Sequence, residues 1–445
     1  MTLSYSDALA KIIDAARIQK KSSHEEAPLD RAVGRITAHD IISPKSLPAH
    51  DTSAMDGYAV YAHTTESASP QTPVLLRVHG TIAAGNDAEA MELGPGDTDA
   101  AAPCVEIMTG AIFPDGPLGR PYDACVKVED TLIAAPPTPP GDGASRHILI
   151  TKPVVPGANK RFARSDVAEG DVVVGEGQVI RPSHILPLAS LGFESVTVAR
   201  RPRVGVFSTG LELVNGNGAT GDANGPYLTA AARDMGAEAY FLGILDDDPQ
   251  KVYHCIREAT HSGRYDVIVT SGGVSKGKAD YVPNVLLRLN ADIVFHGLSI
   301  RPGHPVLFCK IPTHRGQVPF FGLPGNPGAA AACVRFLTMP YLRFLQGQDM
   351  ERPLPSKLCR LEHWKVKQNG DCGVTMDYFR HGVLSGTPEG MLAVEPSQEQ
   401  SPAKLGPFAT ANCWIHFKSG KVEREGDMVD CYPLSPTGLQ LHTIC

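Results

Sequence analysis

The stretch VIVTSGGVSKGKADY, residues 267–281, constrains this chain most. Its first four residues, led by Asp266, form a short apolar, β-branched run and predict a buried strand. The strand breaks at Ser271, Gly272 and Gly273. A glycine pair admits positive φ and lets a ligand approach bare backbone. Ser275, Lys276 and Lys278 add a hydroxyl and two cations, and Asp280 adds a carboxylate. Strand, glycine turn, hydroxyls and cations together describe a seat for an anionic group such as a phosphate. An ordinary strand-to-loop turn with solvated lysines satisfies the same pattern, because a lone glycine motif is weak.

The flanking sequence strengthens the first reading. From residue 203 the chain alternates short apolar runs (204–208, 239–244, 266–270, 292–298, 306–309, 319–322) with helical patterns (228–235, 249–262, 281–289, 328–345). Asn326 is a natural N-cap for the last helix, with Pro327 at its first position. This alternation predicts a mostly parallel sheet with helices on both faces. Ligands of such sheets sit beyond the carboxyl ends of the strands. Ser208-Thr209-Gly210, TSGGVS and LPGNP all fall at strand ends, so the three loops are expected to meet in one crevice. No GxGxxG follows the first strand, which disfavours a dinucleotide site.

Elsewhere the pattern changes. Residues 2–21 predict a helix capped by Ser4 or Ser6, with Leu9, Ile12, Ile13 and Ala16 on one face. Residues 29–41 read as a short helix or turn entering a strand. Pro44 and Pro48 forbid a long helix in the next segment. Asp51, Thr52, Ser53 and Asp56 make a polar tip before a strand at 58–61, suited to holding a cation or to capping a turn. Residues 70–150 are a series of short strands, an all-β module, with an exposed proline-rich loop at 134–143. Lys160, Arg161 and Arg164 precede Asp166 and suit either a phosphate or a solvated face. Residues 171–180, DVVVGEGQVI, read as a hairpin around Gly175-Glu176-Gly177. Residues 183–191 read as a short helix. Beyond a proline-marked boundary near 353, short strands return and predict a small all-β domain.

A chain of 445 residues has room for about three domains. Its net charge of −7 argues against non-specific nucleic-acid binding. No run of about 18 apolar residues is present, so no membrane span is expected. The amino-terminal segment lacks the apolar core of a secretory leader. The ten cysteines show no CxxC pair and no zinc spacing, so buried thiols in a reducing compartment, the cytoplasm, are expected.

The set of motifs resembles one family. TSAMDGYAV (52–60), IMTGA (107–111), VKVEDT (126–131), FSTGLEL (207–213), TSGGVSKGKADY (270–281), RPGHP (301–305) and LPGNP (323–327) occur in the order and spacing of the molybdopterin molybdenumtransferases, the family of bacterial MoeA and the gephyrin E domain. DYFRHG (377–382) is a weaker match. The resemblance covers essentially the whole chain. It implies an α/β three-layer molybdopterin-binding domain at 200–348, an inserted β module at 46–152, a discontinuous dimerisation subdomain at 1–45 and 153–199, and a carboxyl-terminal β-barrel at 349–445. It implies a homodimer whose site combines one subunit's α/β domain with the other's β module. The implied reaction inserts molybdenum from molybdate into adenylylated molybdopterin and releases AMP, with magnesium, and with a molybdopterin adenylyltransferase as a possible partner.

By the same resemblance, Ser208, Thr209, Ser271, Gly272 and Gly273 line the pterin-phosphate crevice, with Ser275 beside them. Arg301, His304 and Asp280 contact phosphate or molybdate, and Arg380 matches an arginine linked to molybdate. Asp56, from the partner subunit, and Asp166 join Asp280 as catalytic acids, and Glu212 is the metal ligand. The chain departs from the family's pattern at Leu211, where an aspartate is usual, and at Lys278, where an acid is usual. It departs also at Arg301 and His304, which replace two lysines. The family's Asp-Ser-Asn motif is expected near Tyr227, where the chain reads Leu228-Thr229-Ala230, so a second carboxylate is taken as lost. The transferase with a modified metal site is the favoured reading. A non-catalytic paralogue that binds molybdopterin, or a dimeric scaffold, is the alternative. A nucleotide-derivative hydrolase on the α/β domain fits fewer of the motifs.

Overall fold

The structure is a computed structural model. It describes residues 2–19, 23–85, 101–134, 146–209, 221–246, 248–275, 281–359, 376–435 and 442–443. The chain divides into two compact units: Met1–His39, Gly175–Pro182 and Glu194–Cys445 form the first, and Asp40–Val174 with Ser183–Phe193 the second.

The first unit holds a six-stranded sheet in the order Glu238–Leu245, Arg203–Thr209, Val267–Ser271, Gly316–Leu323, Leu307–Thr313, Asp292–His296. The first four strands are parallel. Leu307–Thr313 alone runs the other way, because a tight hairpin joins it to Gly316–Leu323, and Asp292–His296 pairs antiparallel with its far edge. Alternate residues of each strand feed opposite faces. Val204, Val206, Val267, Val269 and Phe321 pack on one side with Ile12, Leu228 and Tyr341. Phe207, Ile268 and Phe320 pack on the other with Val252, Ile256 and Leu286. Helices therefore cover both faces of the sheet, giving the expected three layers.

The first helix, Tyr5–Gln19, is capped by Ser4, whose Oγ accepts the Asp7 amide at 3.1 Å. Of the expected face, Ile12 and Ala16 are buried and Leu9 and Ile13 half-buried, and Ala8 completes the buried row. The helix expected at 328–345 is interrupted. Pro327–Cys333 and Met339–Leu345 are α-helical, and Val334–Thr338 between them is a π turn. The buried Arg335 in that turn donates Nε to the Pro433 carbonyl at 3.1 Å and pairs with Glu351 at 2.8 Å. Asn326 precedes this helix but makes no side-chain cap; proline at the first turn starts the helix instead.

Strands Leu354–Leu358, Asp377–Gly386, Leu392–Pro396, Cys413–Phe417 and Met428–Pro433 close into a barrel, each paired with two of the others. Ile300–Arg301 pairs in parallel with the start of Asp377–Gly386, so the barrel is stitched to the RPGHP loop.

The second unit contains a six-stranded sheet in the order Ala124–Lys127, Gly57–Val60, Ala102–Ile107, Val74–Ile82, Arg146–Ile150, Thr131–Ile133. This is the expected β module. The hairpin expected at 171–180 does not form. Val172–Val174 pairs with Ile41–Ile42, and Val179 bridges Ile36. Among the described residues no helix is long and apolar enough to cross a membrane. Eight cysteines are described; all are free thiols and six are buried.

Candidate functional site

Parallel register puts Ser208, Ser271 and Leu323 in one row at the carboxyl ends of three adjacent strands. The loops that leave this row are tied together by short bonds. Thr209 Oγ1 donates to the Ser271 carbonyl at 3.1 Å, and Ser271 Oγ to the Pro324 carbonyl at 3.2 Å. The Gly272 amide donates to the Leu323 carbonyl at 2.9 Å. Gly272 has φ +90°, and a Cβ there would fall 2.4 Å from Thr209 Oγ1, so only glycine fits. Ser208-Thr209, TSGG and LPGNP therefore converge, as expected.

A fourth element joins them. Asn224, at the start of helix Asn224–Asp234, donates Nδ2 to the Gly325 carbonyl at 2.7 Å. Asp222 Oδ1 accepts the amides of Asn224 and Gly225 at 3.0 and 3.1 Å and caps this helix. The second oxygen of Asp222 and Oδ1 of Asn224 are buried without a partner, as are Ser208 Oγ and Thr270 Oγ1. Leu228, by contrast, is a core residue, 1 % exposed. The inferred loss of a carboxylate at Leu228 is therefore corrected. Asp222-Ala223-Asn224, six to four residues earlier, places an acid and an amide at the start of this helix beside the LPGNP loop. Sequence reasoning missed both residues; an Asp-x-Asn just before a helical pattern is the signal that marks them.

The RPGHP loop and the barrel form an adjoining cavity of about 630 Å³, lined by Arg301, His304, Asn326, Met376, Arg380 and Gln400 among others. Gly303 packs so tightly that a Cβ would meet Cys333 Sγ at 2.4 Å, which fixes the loop on helix Pro327–Cys333. His304 Nδ1 lies 2.6 Å from the Leu298 carbonyl, so that nitrogen carries the proton. Arg380 lies over the Tyr378 ring, and its Nε is buried without a partner. Burial, then the charge of Arg301, push the Arg380 pKa down to about 10. It remains a cation at neutral pH. The carboxylate that lines the cavity, Glu399, is bound to Lys404 at 2.9 Å and to the Ser401 amide at 3.1 Å. Two guanidinium groups forced together, one with an unmet donor, make a receptor for an oxyanion. A second cavity of about 570 Å³ shares His304 and includes Ser275.

Asp56 and Asp166 belong to the second unit. Asp56 Oδ1 accepts the Thr109 amide at 2.7 Å and its hydroxyl at 2.9 Å. These two bonds, the amide first, hold the Asp56 carboxyl below the usual range. A Cβ at Gly57 would meet the Val126 carbonyl at 2.0 Å, which fixes the turn that presents Asp56. Asp166 is exposed, its amide bonded to the Leu47 carbonyl. Of the three cations before it, Lys160 is structural: it is buried against Asp51 at 2.8 Å and over the Phe113 ring. Glu212, Asp280, Leu211, Lys276 and Lys278 lie outside the described residues. Among the described residues no group of three or more His, Cys, Asp or Glu side chains forms a ready metal cage.

Residues 3–192 match the family profile described as "MoeA N-terminal region (domain I and II)", and residues 205–343 match "Probable molybdopterin binding domain". The molybdopterin molybdenumtransferase of Synechococcus elongatus is 30% identical over 427 residues, covering 95% of this chain and 96% of the relative. That of Bacillus subtilis is 31% identical over 330 residues, covering 73% and 71%. The crystal structure of the molybdopterin biosynthesis MoeA protein from Pyrococcus horikosii superimposes with a TM-score of 0.73 at 27% identity, covering 98% of this chain and 99% of that one. The α/β sheet with its strand-end crevice, the β module and the closed barrel are thus one architecture shared end to end, and the chain belongs to the molybdopterin molybdenumtransferase family.

Proposed function

We propose that this protein inserts molybdenum from molybdate into adenylylated molybdopterin and releases AMP. The observation that carries this reading is the pairing of Arg301 and Arg380 in a cavity beside the strand-end crevice. One substrate is a tetrahedral oxyanion and the other a pyrophosphate ester, and the two adjoining spaces suit them in turn. The backbone and hydroxyls of Ser208, Thr209, Ser271, Gly272 and Gly273 orient the pterin phosphate. Arg380, through its unmet Nε, and Arg301 hold molybdate, with His304 and Ser275 at the border of the second cavity.

Asp222 and Asn224 offer buried, unpaired oxygens, and hard oxygen donors fit magnesium. They would hold it together with Glu212 and Asp280, the acids that the family resemblance supplies. A magnesium ion held there would supply positive charge toward the phosphate oxygens of the departing AMP. Asp56 keeps one carboxylate oxygen outside the Thr109 bonds and stays ionised at neutral pH, so it serves as a base or an outer metal ligand. Asp166 is assigned the same acidic side of the site.

We assign the four segments 1–45 with 153–199, 46–152, 200–348 and 349–445 to the four family subdomains. A homodimer brings Asp56 from the partner subunit. The free thiols support a reducing compartment, the cytoplasm, where an adenylyltransferase supplies the substrate. Single-turnover AMP release tests the reading. Protein, adenylylated molybdopterin, molybdate and magnesium are expected to give molybdate-dependent AMP with stoichiometric bound molybdenum. Tight binding without AMP release would replace the transferase by a non-catalytic paralogue. No binding would leave a scaffold.

A further inference from the structure

The amino ends of the parallel strands carry a separate cavity of about 530 Å³, within the usual size range of small-molecule sites. Asp266, just before strand Val267–Ser271, lies in its wall. Arg200 donates to both Asp266 oxygens, at 3.0 and 2.9 Å, and the Arg203 side chain lies 3.5 Å away. Two guanidinium groups thus share one carboxylate. Lys310 is balanced by Asp292 at 2.9 Å. Arg315, at the turn of the hairpin that closes the sheet, has no carboxylate among the described residues; its Nε donates to the His314 ring at 3.2 Å.

Four cations and two carboxylates leave an excess of two positive charges. The carboxyl end of helix Pro249–His261 offsets a fraction of one charge, since Arg203 Nη2 donates to the Gly263 carbonyl at 3.1 Å. The excess occurs on a chain of net charge −7, so it is a local feature. Gly263 makes room for it: a Cβ there would fall 1.9 Å from Arg315 Nη1. The rest of the wall includes the Tyr265 ring, Leu345 and Val318. Free guanidinium donors beside an aromatic and aliphatic wall match an anion that carries an organic body.

We propose that this cavity binds a phosphorylated small organic molecule, with its phosphate on Arg203 and Arg315 and its organic part against Tyr265. The site is distinct from the Arg301–Arg380 cavity. Calorimetric titration with phenyl phosphate and with inorganic phosphate tests it. The full chain carries Arg301→Ala and Arg380→Ala, so that the other cavity no longer holds the probe. Saturable binding of phenyl phosphate is expected, tighter than that of inorganic phosphate. Adding Arg315→Gln is expected to weaken it about tenfold, and Arg315→Lys less. Arg315 is exposed, so an unchanged melting temperature confirms that each variant folds. Absence of saturable binding, or binding unmoved by Arg315→Gln, overturns the proposal. Equal affinity for the two probes overturns the organic ligand.

Discussion

Arg380 is held as a cation against two opposing effects, burial and the neighbouring Arg301. An anion in the cavity relieves both. Arg380→Ala is therefore expected to weaken molybdate binding by at least about tenfold, and Arg380→Lys to recover part of it, since a lysine keeps charge but loses the fork. Calorimetry with molybdate alone measures this. Asp56 provides a second expectation. The Thr109 hydroxyl and amide depress its carboxyl, so the ionised form persists into acid. Thr109→Val removes one donor and raises that pKa toward the usual value. The acid limb of the AMP-release profile is expected to move to higher pH, while the plateau above it is retained. The residues most legible in the sequence were those that backbone geometry demands, such as Gly272 and Gly273 with their positive φ. Asp222 and Asn224 were not. Family spacing points several residues further on, and only the helix start fixes which residue lies beside the crevice and which, like Leu228, faces the core.

The elements were read well where the signal is local. The parallel strands, their helices and the short strands of the β module and barrel each announce themselves by periodicity and turn residues. The segment 171–180 misled because its Gly-Glu-Gly invites a hairpin, whereas its strand partner is Ile41–Ile42, far away in sequence. No local pattern encodes a pairing of that span. Gly57 shows how tightly an element can be specified. Its missing Cβ lies 2.0 Å from a backbone carbonyl that cannot give way. Gly57→Ala is expected to cost about 3 kcal/mol and to lower the melting temperature measurably, with Asp56 displaced as well. In the barrel, burial and then Arg380 push the His381 pKa down to about 4, and its Nδ1 lies 2.9 Å from Ser397 Oγ. The unfolded chain binds that proton near pH 6.5 and the folded chain does not. The contribution of neutral His381 is fully present above pH 6.5 and is lost progressively as the pH falls toward 4. Denaturant midpoints across this window are expected to fall in the parent and to fall less in His381→Gln.

For the whole molecule, the proposed assembly has a direct measure. Light scattering is expected to give twice the chain mass of 47.4 kDa. A monomer at working concentration would remove Asp56 from the site as assigned. The eight described thiols lead to a further expectation: the melting temperature is the same with and without reductant, because the described core contains no disulfide.

The π turn at Val334–Thr338 has a consequence for how this chain tolerates change in length. A π turn holds one residue more than the α-helix around it. Five residues wound as a π turn rotate about as far as four wound as an α-helix, so shortening 334–338 by one residue would restore α-helical winding and leave everything beyond in nearly the same phase. Tyr341 and Leu342, both fully buried, would keep facing the core. Arg335, bonded to Pro433 and Glu351, is the residue of the turn to be kept. The π turn thus absorbs the extra residue, so that one helix can start on the LPGNP loop at the crevice and still end flush against the core, and a one-residue deletion within 334–338 that keeps Arg335 is expected to be better tolerated than one in the α-helical turns on either side.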